Sequence, residues 1–261
     1  MSTSKTHPPG TQSISRTLAI LECFVDASEL GVTEIATLTD LRPSTAHRIV
    51  RSLVAHGYLE QNPATDRYRL GRSAVVLGQA ARSHRGLDLA VPLLEQLGAE
   101  TGESVNMGLL DGDDVVVMLR VSSAQPLRFE QPVGTRLAAH CSSMGKALLA
   151  FGSPDGPADI AHLDLRPVTA NTITELPTLA AELDEIRHRG YSTDHQESIV
   201  GVSCVGAPIL GEHGPAVGAI AVQAPTARMP PERMATLGPR TVEVAATIAE
   251  LMPPRTPQRG R

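Results

Sequence analysis

The stretch Leu41–Asn62, "LRPSTAHRIVRSLVAHGYLEQN", constrains the fold of this chain more than any other. Ala46, Ile49, Val50 and Leu53 recur at i, i+3, i+4 and i+7, the spacing of one helical face that packs inward. The opposite face shows Ser44, Thr45, His47, Arg48, Arg51 and Ser52, and no acid falls between Arg42 and Val54. Pro43 suits the first position of this helix, where its missing N–H has no partner to lose. Upstream, "VTEIATLTD" predicts a two-turn helix with Thr33 as N-cap and Ile35, Ala36 and Leu38 apolar, joined to the next by the turn Asp40-Leu41-Arg42. An earlier helix is predicted over Ser13–Phe24, with Leu18, Leu21 and Ile20–Phe24 in apolar spacing and Ser13 or Ser15 as its cap. A short helix, a tight turn and a helix with small polar residues at its start form the helix-turn-helix pattern.

The following residues extend that pattern. Gly57 ends the helix, and Tyr58–Gln61 and Arg67–Leu70 predict two short strands around the turn Asn62-Pro63-Ala64-Thr65-Asp66. Tyr68 and Leu70 alternate with Arg67 and Arg69, so the arginines fall on the outer face of a hairpin, or wing. In this arrangement the start of the second helix enters the major groove of double-stranded DNA. Ser44 and Thr45 allow close approach there. Arg48 reaches guanine O6/N7, Arg42, His47 and Arg51 lie along the same cationic face, and Arg67 and Arg69 meet phosphate or the minor groove.

The formal net charge of −5 conceals this clustering. Residues 1–72 carry eight cations against seven acids, and the remainder carries fifteen against twenty-one. Position, not total, makes a phosphate-contacting surface. At 261 residues the chain is long for one core and suits two domains. No apolar run approaches the ~18 residues of a membrane span. The polar start, Met1–Gln12, lacks the apolar core of a signal sequence and reads as a disordered tail, which predicts a cytoplasmic protein. Cys23, Cys141 and Cys204 are odd in number and far apart, with no CxxC, so neither a disulfide framework nor a structural zinc site is expected.

Beyond the wing, "GRSAVVLGQAARSHRG" places Val75, Val76, Leu77, Ala80 and Ala81 in helical spacing and reads as a linking helix. A second amphipathic helix, Leu89–Thr101, puts Leu89, Leu93, Leu94 and Leu97 on one face, with Asp88 as cap. After Gly102 the period changes. "SVNMGLLDGDDVVVMLRV" predicts two strands around Asp111-Gly112-Asp113. An irregular strand over "PLRFEQPVGTRLAAH" precedes the helix "CSSMGKALLAF". A further helix runs from near Pro177 to "IRHRG"; "YSTDHQESIVGVSCVGAPIL" and "AVGAIAVQAP" predict two strands joined at Glu212-His213-Gly214, and 238–252 predicts a terminal helix. An antiparallel sheet with helices outside it makes the fold α+β.

Catalytic signatures are missing. Ser142 and Ser143 lie near His140, but no G-x-S-x-G elbow and no GxxxxGK[ST] loop occurs. His140, Cys141 and Cys204 match no compact zinc spacing, so no metal and no cofactor are expected, and the chain is not read as an enzyme. Cys141-Ser142-Ser143-Met144-Gly145 stands where strand gives way to helix, and free N–H groups and hydroxyls there suit a carboxylate.

In "SISRTLAILECF", "TEIATLTDLRPSTAHRIVRSLVAHGYLEQ" and "RYRLG", the N-terminal part resembles the IclR family of bacterial transcription regulators. The C-terminal part resembles it in "AETGESVNMGLLDGDDVVVMLRV", "VGTRLAAHCSSMGKALLA", "IRHRGYSTDHQESIVGVSCVGAPIL" and "GPAVGAIAV". The resemblance spans roughly Ser13–Ala249, with the motifs in order. It implies a winged helix-turn-helix DNA-binding domain over 13–72, a linker helix over 73–86, and a GAF-like effector domain over 87–252, between disordered tails at 1–12 and 253–261. It also implies a homodimer or dimer of dimers, paired through the linker and the first helix. Ligand-contacting positions carried across by motif are Ser143, Met144, Asp194, Val202, Cys204, Ala221 and Gln223, to which the helix start adds Ser142. Asp40 stands where the family often has Gly, and Ala221 and Gln223 where it often has small hydroxyl residues. The function implied is a ligand-responsive repressor of a catabolic operon with an organic-acid effector. The alternatives are an activator of the same family, or a small-molecule enzyme or sensor tethered to DNA.

Overall fold

The computed structural model describes residues 11–154, 156–212 and 214–252. Of the two expected tails, residues 1–10 and 253–261 lie outside the described residues, as does His213 of the expected turn. Gln12, assigned to the first tail, instead opens a helix. The chain divides into two compact units, one through Ser83 and one from His84.

The first unit contains α1 (Gln12–Glu22), α2 (Val32–Leu38), α3 (Pro43–Ala55), β1 (Leu59–Gln61), β2 (Tyr68–Leu70) and α4 (Arg72–His84). Its core joins Ile20 and Phe24, Ile35 and Ala36, the four inward residues of α3, and Leu59 and Tyr68 of the hairpin. α2 is capped by Gly31, not Thr33: the Glu34 carboxylate accepts the Gly31 N–H at 2.6 Å, which starts the helix earlier. Asp40 takes φ +51° in the α2–α3 turn, the left-handed conformation that Asp tolerates better than most residues. Leu18 of α1 is exposed, as are Ile14 and, on α4, Val75, Val76 and Leu77.

In the second unit α5 (Leu87–Thr101) leads into β3 (Ser104–Asp111), β4 (Asp114–Val121), β5 (Arg136–Ala138), α6 (Ser143–Ala150), α7 (Leu176–Arg189), β6 (Ser192–His195), β7 (Val202–Leu210), β8 (Ala216–Pro225) and α8 (Pro231–Leu251). The six strands form one antiparallel sheet in the order β5-β4-β3-β8-β7-β6. Alternate residues point to opposite faces. Val105, Met107, Val205, Ala207, Ile220 and Val222 meet α5 and α8; Val115, Val117, Ala219 and Ala221 meet α6 and α7.

Three expectations are corrected here. Leu89 is exposed, and α5 buries Leu87, Ala90, Leu94 and Leu97, a face set one step earlier around the left-handed Gly86. The single strand expected after Tyr191 is two, because Asp194 accepts the Glu197 N–H at 2.6 Å and that of Ser198 at 3.4 Å and so closes a reversal between β6 and β7. α8 begins at Pro231, not near 238. Pro231 fills its first turn, and Gly238 is an interior position where a Cβ would lie 2.5 Å from the Tyr191 ring.

Candidate functional site

On α3, Ala46, Ile49, Val50 and Leu53 are buried, which turns Ser44, His47, Arg48 and Arg51 to the exterior together with Arg42 just before the helix; Thr45 is half-buried. Among the described residues, no acid pairs with Arg42, Arg48 or Arg51. α3 and the residue that caps it therefore present three uncompensated guanidinium groups and a hydroxyl-rich first turn. The wing arginines differ. Arg67 Nη2 lies 2.7 Å from Glu34 Oε2 and donates to the Glu29 carbonyl at 3.0 Å. Arg69 Nε donates to Glu60 Oε1 at 2.6 Å across the hairpin. Glu29 also accepts from Asn62 Nδ2 at 2.8 Å and from the Thr65 hydroxyl at 3.3 Å, and Leu30 exchanges two backbone bonds with Tyr68. The wing is thus fastened to the segment that enters α2.

In the second unit, strand register sets the site out in rows on the sheet face beneath α6. One row runs Asn106–Ala221–Gly206–Ser192, and the next Ser104–Gln223–Cys204–Asp194. Val202 shares this face one row further toward the strand end, opposite Pro225. The start of α6 rests on the rows. A Cβ at Gly206 would lie 2.8 Å from the carbonyl carbon of Ser143, and the Ser192 hydroxyl donates to the Ser143 carbonyl at 2.6 Å. The Ser143 side chain lies close enough to Cys204 to offset part of the rise in the thiol's proton affinity. Ser142 caps the helix by accepting the Gly145 N–H at 3.2 Å. The preceding amides, of Ser143 and Met144, belong to the first turn, where no intrahelical acceptor exists.

Charges under α6 are fully enclosed. Lys146 is 1% exposed and donates to both oxygens of Glu197, at 2.6 and 2.8 Å. Asp194 is fastened to its own loop: besides the two N–H groups, it accepts the Ser198 hydroxyl. Burial raises the affinity of Asp194 and Glu197 for protons above the ordinary carboxylate range. Burial, with Asp194 and Glu197 adding to it, pushes the Cys141 thiol up to about 12, and burial raises Cys204 well above its usual value. Both thiols are protonated at neutral pH. His140 is shifted down by burial, and its Nε2 lies 3.1 Å from the Arg166 carbonyl. Among the described residues, no three His, Cys, Asp or Glu side chains gather as a metal site.

Among the described residues, two polar atoms on this face lack partners. Asn106 Oδ1 and Gln223 Nε2 are buried without a hydrogen bond, although Asn106 Nδ2 donates to Gln131 Oε1 at 2.9 Å. The structure thus gathers Ser142, Ser143, Met144, Asp194, Cys204, Ala221 and Gln223. Sequence reasoning missed Asn106, Gln131, Lys146 and Glu197. The available signal was Asn106 itself, a lone amide in the apolar run "SVNMGLL".

Residues 13–63 match the IclR helix-turn-helix domain, and residues 79–250 match the bacterial transcriptional regulator IclR C-terminal domain. The chain belongs to the IclR family. It is similar to the HTH-type transcriptional regulator BhcR of Paracoccus denitrificans, 36% identical over 248 residues that cover 94% of this chain and 89% of that one. It is 33% identical to the DNA-binding transcriptional repressor YiaJ of Escherichia coli, covering 88% and 83%. Among solved structures it resembles a regulator from Rhodococcus sp. RHA1, with TM-score 0.77, 33% identity, and coverage of 92% and 98%. An IclR homologue from Microbacterium hydrocarbonoxydans complexed with 4-hydroxybenzoate shares the fold, with TM-score 0.78 at 23% identity over 91% and 99%. This IclR-family chain is a DNA-binding transcriptional regulator, with an N-terminal helix-turn-helix domain and a C-terminal effector domain built on an antiparallel sheet. No helix among its described residues is long and apolar enough to cross a membrane.

Proposed function

We propose that this regulator represses a catabolic operon, reads its operator through α3, and releases it when a small organic acid binds under α6. The observation that carries the DNA reading is the set of unpaired guanidinium groups, Arg42, Arg48 and Arg51, beside Ser44, Thr45 and His47. Unpaired cations on one helix attract phosphate without first breaking an ion pair, and a mid-face arginine suits the two acceptors of guanine. Arg67 and Arg69 are each engaged with an acid, Glu34 and Glu60, so the wing steadies the first unit beside α3 and adds no free phosphate contact of its own.

The effector reading rests on the start of α6. The amides of Ser143 and Met144 and the positive end of the helix suit a carboxylate, with Cys204, Ala221, Gln223 and Val202 on the sheet below. Asp194 holds the β6–β7 reversal and meets no carboxylate itself. The homologue complexed with 4-hydroxybenzoate supports an acid of this size. Ile14 and Leu18 on α1 and Val75, Val76 and Leu77 on α4 supply exposed apolar surface for a homodimer or a dimer of dimers. The test is fluorescence anisotropy of the full-length protein on the DNA upstream of its neighbouring operon, with and without organic acids. Tight binding to that DNA, weakened by at least one acid, supports the proposal. Binding no tighter than to random DNA, or insensitive to every acid, refutes it.

A further inference from the structure

The two unpartnered atoms say more about the ligand than the helix start does. Asn106 Oδ1 is an acceptor and Gln223 Nε2 a donor, and their residues are 0% and 2% exposed. Buried polar atoms without partners are rare in folded proteins, because each forfeits its bond to water. The two residues sit diagonally on adjacent strands, Asn106 opposite Ala221 and Gln223 opposite Ser104. A diagonal pair stands roughly 7–8 Å apart, and Ala221 beside them adds only a methyl group. Both belong to the face on which Ser143 and Met144 rest, since Val105, Met107, Val222 and Ala224 occupy the other.

Resting on the carboxylate reading above, we infer that the effector is a hydroxy acid whose hydroxyl is held between Asn106 Oδ1 and Gln223 Nε2 while its carboxylate meets the start of α6. A hydroxyl donates one bond and accepts another, which is what this pair lacks. A second carboxylate would satisfy Gln223 but oppose the Asn106 oxygen, and an ammonium would satisfy Asn106 and oppose the Gln223 amide. With Nδ2 donated to Gln131 Oε1, the atom of the Asn106 amide left over is its acceptor, Oδ1. Asp194 does not compete for the hydroxyl, since Glu197 and Ser198 occupy its oxygens.

The test uses the full-length protein and matched acids that differ by one hydroxyl: glycolate and acetate, lactate and propionate, 3-hydroxybutyrate and butyrate, 4-hydroxybenzoate and benzoate. Calorimetric titration is expected to show, in at least one pair, the hydroxy acid binding about tenfold or more tightly, since its partner leaves both amides unpaired. Gln223→Met, similar in length but unable to hydrogen-bond, is expected to bring that pair near parity with little change for the acid lacking the hydroxyl. Asn106→Leu supplies the same comparison from the other strand. Equal affinity within every pair overturns the hydroxyl assignment and leaves the carboxylate reading standing; a trapped water between the amides gives this result. A preference for succinate over every hydroxy acid also overturns it. Propane-1,2-diol binding as tightly as lactate, with the same loss in Gln223→Met, keeps the hydroxyl and overturns the carboxylate. Binding by none of these compounds overturns both.

Discussion

Arg67 and Glu34 are joined at 2.7 Å, an ion pair that binds the wing to the first turn of α2. The Glu34 carboxyl is held below the ordinary carboxylate range by the Gly31 N–H first and by Arg67 second. A guanidinium so engaged is not a free phosphate contact. Arg51, on the outer face of α3, has no such partner among the described residues. Arg51→Ala is therefore expected to flatten the slope of log affinity against log salt by up to ~0.9, the contribution of one phosphate. Arg67→Ala is expected to lower thermal stability and leave that slope nearly unchanged. Salt titrations on one operator decide it: a full unit lost in Arg67→Ala would show that Arg67 leaves Glu34 for DNA.

Arg48 occupies the middle of the exposed face of α3, between the buried Ala46 and Ile49. Arg48→Ala is expected to reduce the preference for operator over random DNA by about 1–3 kcal/mol. Competition binding measures both affinities together. An equal loss on the two DNAs would assign Arg48 to phosphate.

The first unit was legible because each of its signals is local. The burial of α3 follows its i, i+3, i+4 spacing, Asp40 accepts the left-handed turn, and Gly57 ends the helix at φ +73°. The pairing of Arg67 was not legible, since Glu34 stands thirty-three positions away and nothing in spacing relates them. In the second unit the hairpin at Gly112 was readable from its turn. Strand register was not. Residues buried on both faces show no alternation, so the sequence did not reveal that Asn106 and Gln223 share a face. Lys146 illustrates the same limit: a lysine in a helix reads equally as solvated or as paired, and only the loop closed by Asp194 brings Glu197 against it.

Lys146 and Glu197 form a buried pair under α6, and removing Lys146 strands the Glu197 charge, whereas Lys146 itself also lies 3.7 Å from Glu182. Lys146→Met is expected to destabilise the protein by about 3–5 kcal/mol, and Lys146→Met with Glu197→Gln by clearly less, since no uncompensated charge remains at that pair. Urea unfolding of both variants at one pH tests this. A double variant as unstable as the single would mean that Lys146 contributes through packing and not through its charge.

His140 gives the effector domain a stability term at mildly acidic pH. It is buried, and burial lowers its proton affinity; Arg166 and Lys146 lower it further, against the Arg166 carbonyl and Asp164, which raise it. A carbonyl only accepts, so the neutral ring carries its proton on Nε2, 3.1 Å from the Arg166 oxygen. As pH falls through 6.5, the ordinary value, the unfolded chain takes up a proton at this position before the folded one does, and stability falls. The contribution is present above 6.5 and is lost as pH drops toward the depressed folded value. Asp194 and Glu197 act in the opposite direction, because the folded state holds their protons to higher pH than the unfolded chain does. The total pH profile is therefore a difference, and the informative quantity is the change on substitution. His140→Gln, which keeps a donor for the Arg166 carbonyl but does not titrate, is expected to lose less stability than the parent between pH 7.5 and pH 5.5. Parallel thermal melts across that range measure it, and identical slopes for the two proteins would show that His140 protonates as readily in the folded chain as in the unfolded one.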